Sequence, residues 1–132
     1  MKYEKSCGAV IIKDNKVLLI KHNLGHWGFP KGHVENNETE VETAIREVKE
    51  ETNVDIVIDN NNRYVIRYSP KAGIEKDVVF FIGRAISDDI RPQLKEISKV
   101  EYTDLLIAKQ RITHKEERSV LTDVINDMHL KI

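Results

Sequence analysis

The stretch GHVENNETEVETAIREVKEETNV, residues 32–54, decides the fold of this chain of 132 residues. A helix advances about 100° per residue, so Glu47, Glu50 and Glu51, which we call the helix glutamates, fall on one stripe. The apolar residues of the stretch share a different stripe, which can face a hydrophobic core: Val41, Ala44, Ile45 and Val48. The stretch therefore predicts an amphipathic helix that carries a line of carboxylates.

Those carboxylates predict a cation site. Like charges at this spacing destabilise a helix by roughly a few tenths of a kcal/mol per pair. A hard cation such as Mg²⁺ removes that repulsion, because it takes oxygen ligands and binds through carboxylates together with substrate phosphates. The alternative is a solvated acidic helix without chemistry, since most runs of charge lie on the surface.

Both ends of this helix carry sequence signals. Thr39 and Glu42 have the spacing of a capping box, in which each side chain satisfies a backbone N–H at the helix start. The helix is expected to end near Asn53, since Asn is second only to Gly in the left-handed conformation that closes a helix.

The spacing G-x5-E-x7-R-E-V-x-E-E-x-N-V within residues 32–54 resembles the Nudix box. One position departs from the pattern, because the family usually has Gly where this chain has Asn53. The acidic positions are all intact. The resemblance implies an α/β (α+β) fold, a three-layer α/β/α sandwich with a mixed central sheet, formed by a single domain over residues 1–132.

The resemblance also implies roles for residues of the box. The helix glutamates and the carbonyl of Gly32 would bind a divalent cation, Mg²⁺ or Mn²⁺, and Glu47 would either bind metal or accept a proton from the attacking water. Arg46 is expected to hold Glu47 or Glu51 in place by a bidentate pair.

A further carboxylate from outside the box usually completes such a site. Glu96 is the first candidate, because it precedes the segment where tetraphosphate hydrolases of this family carry theirs. Glu101 and Glu75 are rivals, and a surface glutamate without chemistry is the alternative for each. Glu38 is expected to support the loop and the helix start rather than the metal.

The loop before the helix, HWGFPKGHVE at residues 26–35, is similar to the W-x-x-P-K-G-H-x-E stretch of asymmetrical dinucleoside tetraphosphate hydrolases. Lys31 is a point charge that can hold a phosphate. His33 can either contact phosphate or shape the loop by a hydrogen bond. Trp27 can line the nucleotide pocket, although a tryptophan is more often part of the core.

A nucleobase needs a flat partner, and aromatic residues make up only 6% of the chain. Tyr68 follows the box at about the place where the family has a base-stacking tyrosine, and Tyr64 and Tyr102 are rivals. Lys76 and Lys71 can meet the distal phosphates of the substrate, or can simply be solvated.

The composition of the chain limits the kinds of partner and the cellular location that we expect. Apolar residues make up 40% of the chain, charged residues 33%, and the net charge is −1. No strong overall field attracts nucleic acid or membrane, so an anionic substrate must be bound by local cations. The single cysteine, Cys7, is expected to be buried in a strand and fits a reducing, cytoplasmic location. No signal peptide and no membrane-length apolar segment are recognised.

The rest of the chain predicts strands at residues 7–12, 17–21, 54–58, 63–68, 78–85 and 98–102. Turns are expected at residues 14–15 and 59–62, and loops at residues 23–38 and 69–77. A short helix is predicted at residues 103–108. A second capping box, at Thr113 and Glu116, predicts a terminal helix with one core-facing stripe: Val120, Leu121, Val124, Ile125 and Met128.

The sequence thus predicts metal-dependent hydrolysis of a dinucleoside polyphosphate, first of all diadenosine tetraphosphate to ATP and AMP, by a monomer or homodimer. Another Nudix substrate remains open: ADP-ribose, which the sequence Ser69-Pro70 favours, a nucleoside triphosphate, or the 5′-triphosphate end of an RNA. Nucleic acid is otherwise not expected as a partner. A nucleotide-sensing module without catalysis is a further alternative, although such modules tend to lose the carboxylates that this chain keeps.

Overall fold

The computed structural model describes residues 1–59 and 61–132. Its strands are β1 Lys2–Lys13, β2 Lys16–His22, β3 Trp27–Gly28, β4 Lys31–His33, β5 Ile56–Val57, β6 Arg63–Lys71, β7 Ile74–Ala85 and β8 Ile97–Asp104. Its helices are α1 Glu40–Thr52, α2 Leu105–Arg111 and α3 Lys115–Asp127. Within the described residues, no helix is long and apolar enough to cross a membrane.

The sheet is mixed because β1 and β7, its two longest strands, run parallel, while the other strand pairs are antiparallel. The register of β1 and β7 extends from Lys2 opposite Ile74 to Ile11 opposite Gly83. The other edge of β1 pairs with β4 near its middle and with β2 at its end. This arrangement places the short strand β4 beside the centre of the sheet.

Helices cover both faces of the sheet. Alternate residues of β1 point to opposite sides, as the two-residue period of a strand requires. Cys7, Ala9 and Ile11 lie in the hydrophobic clusters that include residues of α1, whereas Val10 lies in the cluster formed with α2 and α3. The predicted α/β/α sandwich with a mixed central sheet is therefore confirmed.

The first helix begins and ends as the sequence predicts. Thr39 Oγ1 accepts a hydrogen bond from the Glu42 backbone N–H at 3.1 Å, and Glu42 accepts one from Thr39 N–H at 2.8 Å. Asn53 closes the helix with a φ of 66°, in the left-handed region. The amide of Asn53 also donates to the carbonyl of Asp89 at 2.9 Å. Asn here therefore contributes a contact that Gly cannot make.

Two predicted loops contain strands. Residues 23–38 include β3 and β4, which are too short to show a periodic pattern in the sequence. Residues 69–77 are mostly the ends of β6 and β7, which meet at a two-residue turn at Ala72 and Gly73. Gly73 has a φ of 80°. The prediction of a long loop there was wrong, because polar residues on an exposed hairpin resemble a loop in composition.

The second predicted capping box is also wrong. His114 is the N-cap of α3 and makes no capping hydrogen bond with its side chain. Thr113 Oγ1 instead accepts a hydrogen bond from Trp27 N–H at 2.8 Å. Met128 follows the helix and is more than one-third exposed, whereas the four other predicted stripe residues are buried. The turn predicted at residues 59–62 includes position 60, which lies outside the described residues.

Candidate active site

The residues that the sequence singles out meet in one open cleft of about 500 Å³ beside α1. The cleft is lined by almost all of the predicted ligands and substrate contacts: Lys31, Gly32, His33, Glu47, Glu50, Glu51, Tyr68, Lys76 and Glu96. Strand β4 supplies one wall, α1 another, and the β6–β7 hairpin a third. The fold thus brings together residues that are up to 65 positions apart in the chain.

Gly32 provides room for Glu47. Strand β4 pairs with β1 through Gly32 opposite Cys7, and this pairing holds the backbone of position 32 against α1. A Cβ added at Gly32 would collide with the Glu47 carboxylate. A residue without a side chain is therefore required for this approach, and the backbone of β4 shares the cleft with the helix glutamates.

Glu51 is the most buried of the helix glutamates. Its Oε1 accepts a hydrogen bond from the backbone N–H of Lys31 at 2.9 Å. Burial raises the pKa of Glu51 to about 8, and burial also raises the pKa of Glu47. Both carboxylates are thus held where their negative charge is poorly solvated. A cation bound nearby would stabilise that charge.

Arg46 connects the loop to the helix. Its Nε and Nη2 donate to the two oxygens of Glu38 at 2.5 and 2.9 Å, and its Nη2 also donates to the His33 carbonyl at 2.9 Å. Its Nη1 donates to Glu47 at 2.8 Å and to Glu50 at 3.1 Å. Arg46 therefore orients two of the helix glutamates while it anchors the loop.

The bidentate partner of Arg46 is thus Glu38, not Glu47 or Glu51 as predicted. Glu38 is suited to this role because its other contacts are local. It accepts hydrogen bonds from Glu35 N–H at 3.0 Å and from the Thr43 hydroxyl at 2.9 Å. Hydrogen bonding to Arg46 lowers the pKa of Glu38 to about 2. The expectation that Glu38 supports the loop and the helix start is consistent with these contacts.

The donors around the cleft fit a hard divalent cation in their chemistry. Glu47, Glu50, Glu51 and Glu96 offer only carboxylate oxygens, and Gly32 offers a backbone carbonyl, the ligands that Mg²⁺ and Mn²⁺ prefer. Within the described ranges, no three acidic, histidine or cysteine side chains already form a metal-holding group. The carboxylates of Glu47 and Glu50 face Arg46 instead.

Glu96 is the only one of the three outside candidates that lines the cleft. Its negative charge contributes to the raised pKa of Glu51, after burial and the charge of Glu47. Glu101 is paired with Arg111 at 2.5 Å, and Glu75 lies 3.5 Å from Arg67. Neither of these two rivals lines the cleft.

Two lysines, Lys31 and Lys76, line the cleft together with the carboxylates. Lys76 on β7 lies opposite Tyr68 on β6 in the hairpin, so both side chains share one face of the sheet. Burial lowers the pKa of Lys76, and the nearby charge of Lys31 lowers it further. The two ammonium groups therefore lie close enough to interact, and an anion between them would relieve their repulsion.

A smaller, apolar pocket of about 190 Å³ adjoins the cleft. Its floor is formed by Ile66, Val78 and Phe80 of the hairpin strands. Tyr68 and His114 line both this pocket and the cleft. Tyr68 is 39% exposed, so its ring is accessible to a ligand. The pocket has an apolar floor with aromatic rims, which suits a flat heterocycle.

Sequence reasoning missed Glu117 and His114 at this pocket. Glu117 is only 4% exposed, accepts a hydrogen bond from Phe29 N–H at 3.1 Å, and lies 3.8 Å from the Lys31 ammonium. Both residues lie where α3 begins, after the Thr113 signal that wrongly suggested a cap. A charged residue at a core-facing position of a predicted amphipathic helix was the available signal for Glu117.

The structure does not bring Trp27 to the cleft or to the apolar pocket. Its ring packs against the core, and the guanidinium of Arg111 lies 4.7 Å from the ring centroid. Trp27 thus lies with the core, the alternative that its residue type favours, and apart from the other predicted substrate contacts. Tyr64 donates to Asp127 at 2.7 Å, and Tyr102 packs beside the α1 core, so neither rival of Tyr68 lines the cleft.

Comparison with known proteins shows which domain family this chain resembles. The NUDIX domain profile matches residues 2–124. The mouse asymmetrical bis(5′-nucleosyl)-tetraphosphatase is 36% identical, over 90% of this chain and 91% of its own length. The Caenorhabditis elegans Ap4A hydrolase in a binary complex superposes with a TM-score of 0.84 at 26% identity, over 96% of this chain and 98% of that one.

A second kind of relative is much longer than this chain. The mRNA-decapping enzyme subunit 2 of Saccharomyces cerevisiae is 32% identical over 78% of this chain, which spans only 11% of that protein's length. Both kinds of relative agree with the domain match. The chain therefore belongs to the NUDIX domain family, as its box of acidic residues predicts.

Proposed function

We propose that this protein is a metal-dependent hydrolase of dinucleoside polyphosphates, with diadenosine tetraphosphate cleaved to ATP and AMP. One observation carries the proposal: carboxylates, two lysines and an apolar pocket with a tyrosine rim adjoin a single cleft. A charged phosphate chain linked to a flat base requires this combination of surfaces. The similarity to the mouse tetraphosphatase over nearly the whole chain supports the same substrate class.

The substrate would lie with its base at the apolar pocket and its phosphates along the cleft. Tyr68 would stack on the base, because its ring lines both spaces and is partly exposed. Lys31 and Lys76 would neutralise phosphates that extend beyond the carboxylates. His33 is exposed at the same wall and would contact a phosphate from there.

Glu50, Glu51, Glu96 and the carbonyl of Gly32 would hold the cation. When bound, a divalent cation neutralises phosphate charge and makes a neighbouring water more acidic. Glu47 is the proposed proton acceptor, since burial raises its pKa and Arg46 fixes its orientation. The water oxygen forms a bond to phosphorus, the bridging P–O bond breaks, and the proton of the water passes to the carboxylate.

The fold also supports a proposal about the domain organisation. We propose that residues 1–132 act as one catalytic domain, because all three helices pack on one sheet and every wall of the cleft comes from that unit.

Product analysis tests the proposal. The protein with Mg²⁺ is offered diadenosine tetraphosphate, ADP-ribose, ATP and a 5′-triphosphorylated RNA, and the products are separated. We expect ATP and AMP in equal amounts from the first substrate, at the highest kcat/KM of the set. In ¹⁸O-labelled water the label should enter only one of the two products, because hydrolysis adds one oxygen to one phosphorus. Faster turnover of ADP-ribose would overturn the substrate assignment.

An RNA 5′ end is the second candidate. The similarity to the yeast mRNA-decapping enzyme subunit, whose match covers 78% of this chain, favours it. The triphosphorylated RNA in the panel discriminates between the two. Preference for that RNA over the dinucleoside substrate would favour the second candidate.

A further inference from the structure

Three histidines form a row along one wall of the cleft. The rings of His22 and His26 are stacked with centroids 4.1 Å apart and an angle of 21° between their planes. His114 follows at 5.8 Å from His26, tilted by 57°. The row begins at the apolar pocket, which His114 lines, and runs away from it along the cleft. Nothing in the proposed chemistry uses His22 or His26.

The far end of the row opens into a third pocket of about 310 Å³. It is lined by His22, Asn23, Leu24, His26, Lys95 and Glu96. Leu24 stands at this pocket with 92% of its surface exposed. An aliphatic side chain that is almost entirely exposed beside two stacked rings is available to cover a flat ligand.

The backbone around this pocket is held in place by hydrogen bonds. His22 N–H donates to the His26 carbonyl at 2.9 Å, and Gly25 N–H donates back to the His22 carbonyl at 2.8 Å. Asn23 donates from its backbone to the Glu96 carbonyl at 2.9 Å and from its amide to the Lys95 carbonyl at 3.0 Å. The pocket is therefore formed by two chain segments, residues 22–26 and 95–96, which these hydrogen bonds hold together.

The two pockets adjoin the same cleft but share no lining residue with each other. Lys31, Tyr68 and His114 are common to the cleft and the apolar pocket. The cleft shares His22, His26 and Glu96 with the third pocket. A chain of phosphates in the cleft thus has a pocket available for a group at each of its ends.

We infer that the third pocket binds the second nucleoside of the substrate, with its base stacked on His22, the terminal ring of the histidine row, and covered by Leu24. This inference rests on the proposed function, and it explains why the site would favour a dinucleoside over a mononucleoside polyphosphate. Lys95 lies at the pocket, where its ammonium can meet the last phosphate before the second ribose. The side-chain amide of Asn23 is a polar partner for the ribose hydroxyls.

The charge state of the rings suits this role. Burial lowers the pKa of His22 to about 4, and burial lowers the pKa of His26 as well. Both rings are then uncharged at neutral pH, so they present flat faces to a base without competing for the phosphates. Stacking on aromatic faces tolerates any base, because every base has a π-face.

Two substrates that differ only in the second nucleoside test the inference. Diadenosine tetraphosphate and adenosine 5′-tetraphosphate carry the same four phosphates, and only the first has a second base. We expect His22→Ala and Leu24→Ala each to lower kcat/KM for the dinucleoside by about fivefold, as loss of part of a stacking surface implies. The same variants should change kcat/KM for the mononucleotide less than about twofold. Leu24→Ala cannot disturb the core, because the side chain is exposed.

Leu106→Ala is the matched control, since Leu106 is a leucine on α2 that is 52% exposed and lines none of the three spaces. It should leave both substrates unaffected. Equal losses for the two substrates, or no loss for either, would overturn the second nucleoside site while the proposed function stands. If the unmodified protein hydrolyses neither substrate, the proposed function fails and the inference fails with it.

Discussion

The carboxylate of Glu47 occupies the space that a side chain at Gly32 would need. The glycine is on strand β4 and the glutamate is on α1, so the contact joins the sheet to the helix at the cleft. The requirement for Gly here is steric and does not depend on a left-handed backbone. Any larger residue must displace the glutamate that we propose as proton acceptor.

Gly32→Ala should therefore abolish most of the activity while the protein stays folded. Only the end of a flexible side chain has to move, so the melting temperature should change little. Turnover should fall by at least about a hundredfold, the scale of losing one well-placed group in a transition state. Gly73→Ala is the matched control, because the two glycines are required for different reasons. Gly73 has a φ of 80° and open space around it, so a new side chain there strains the backbone without touching a neighbour. This substitution should lower the stability by roughly 1–2 kcal/mol, because an L side chain is disfavoured in the left-handed region, and leave turnover intact.

Removal of divalent metal should stop the reaction. The acidic side chains of the cleft can offer only oxygen ligands, so Mg²⁺ or Mn²⁺ should restore turnover after treatment with a chelator. The measurement is the rate of product release before chelation, after it, and after each metal is added back. Full activity in excess chelator would exclude the proposed mechanism.

Glu51→Gln should separate catalysis from stability. The substitution removes the charge but keeps an oxygen that can accept the hydrogen bond from Lys31 N–H. Burial already raises the pKa of Glu51 to about 8, so a neutral amide suits the metal-free fold and the melting temperature should stay level or rise. Turnover with Mg²⁺ should fall by at least about a hundredfold. Glu50→Gln should give the same loss of turnover, and a variant with unchanged turnover would remove its residue from the site.

Much of the fold could be predicted because local signals agree with the packing. The capping box at Thr39, the closure at Asn53 and the apolar stripe of α1 each depend on residues close in sequence, and each has the same role in the structure. The strands β3 and β4 could not be predicted, because they form through pairing with distant partners and have no pattern of their own. Their positions are determined by pairing with β1 and β2 in the sheet.

The residues of the candidate site also fall into those that the sequence could predict and those that it could not. The helix glutamates lie at fixed spacing on one element, so their grouping follows from the sequence. The partners of Lys31 do not, because Glu117 is 86 positions away and reaches it only through the packing of α3. The exclusion of Trp27 also depends on tertiary contacts, since Arg111 covers its ring.

Stability should decrease in acid through Glu40, which is remote from the cleft. Its two oxygens accept hydrogen bonds from Arg63 at 2.8 and 2.7 Å, and Lys5 forms a further ion pair with it. The hydrogen bonds from Arg63 lower the pKa of Glu40 from 4.5 to about 2. A lowered pKa in the folded state stabilises the fold fully above pH 4.5, and this stabilisation is lost as the pH falls towards about 2.

Glu40→Gln should therefore lower the free energy of unfolding at pH 7 but not at pH 2. Urea titrations of both proteins between pH 7 and pH 2 measure the difference, and the two stabilities should converge in acid. The variant should keep normal turnover at pH 7, because Glu40 does not line the cleft. A difference that is constant over the whole pH range would mean that the ionisation of Glu40 does not stabilise the fold.

Lys31→Ala should affect a long phosphate chain more than a short one. A tetraphosphate extends beyond the carboxylates and needs further cations, whereas the two phosphates of ADP-ribose lie within reach of the metal site. We expect kcat/KM to fall by about tenfold or more for diadenosine tetraphosphate, the scale of one charge-assisted contact, and clearly less for ADP-ribose.

The Lys31→Ala substitution also removes the ion-pair partner of buried Glu117, so some stability should be lost. The double variant Lys31→Ala, Glu117→Gln removes that unpaired charge. It should recover stability without recovering activity. An equal loss for both substrates would show that Lys31 serves the common chemistry and not the length of the phosphate chain.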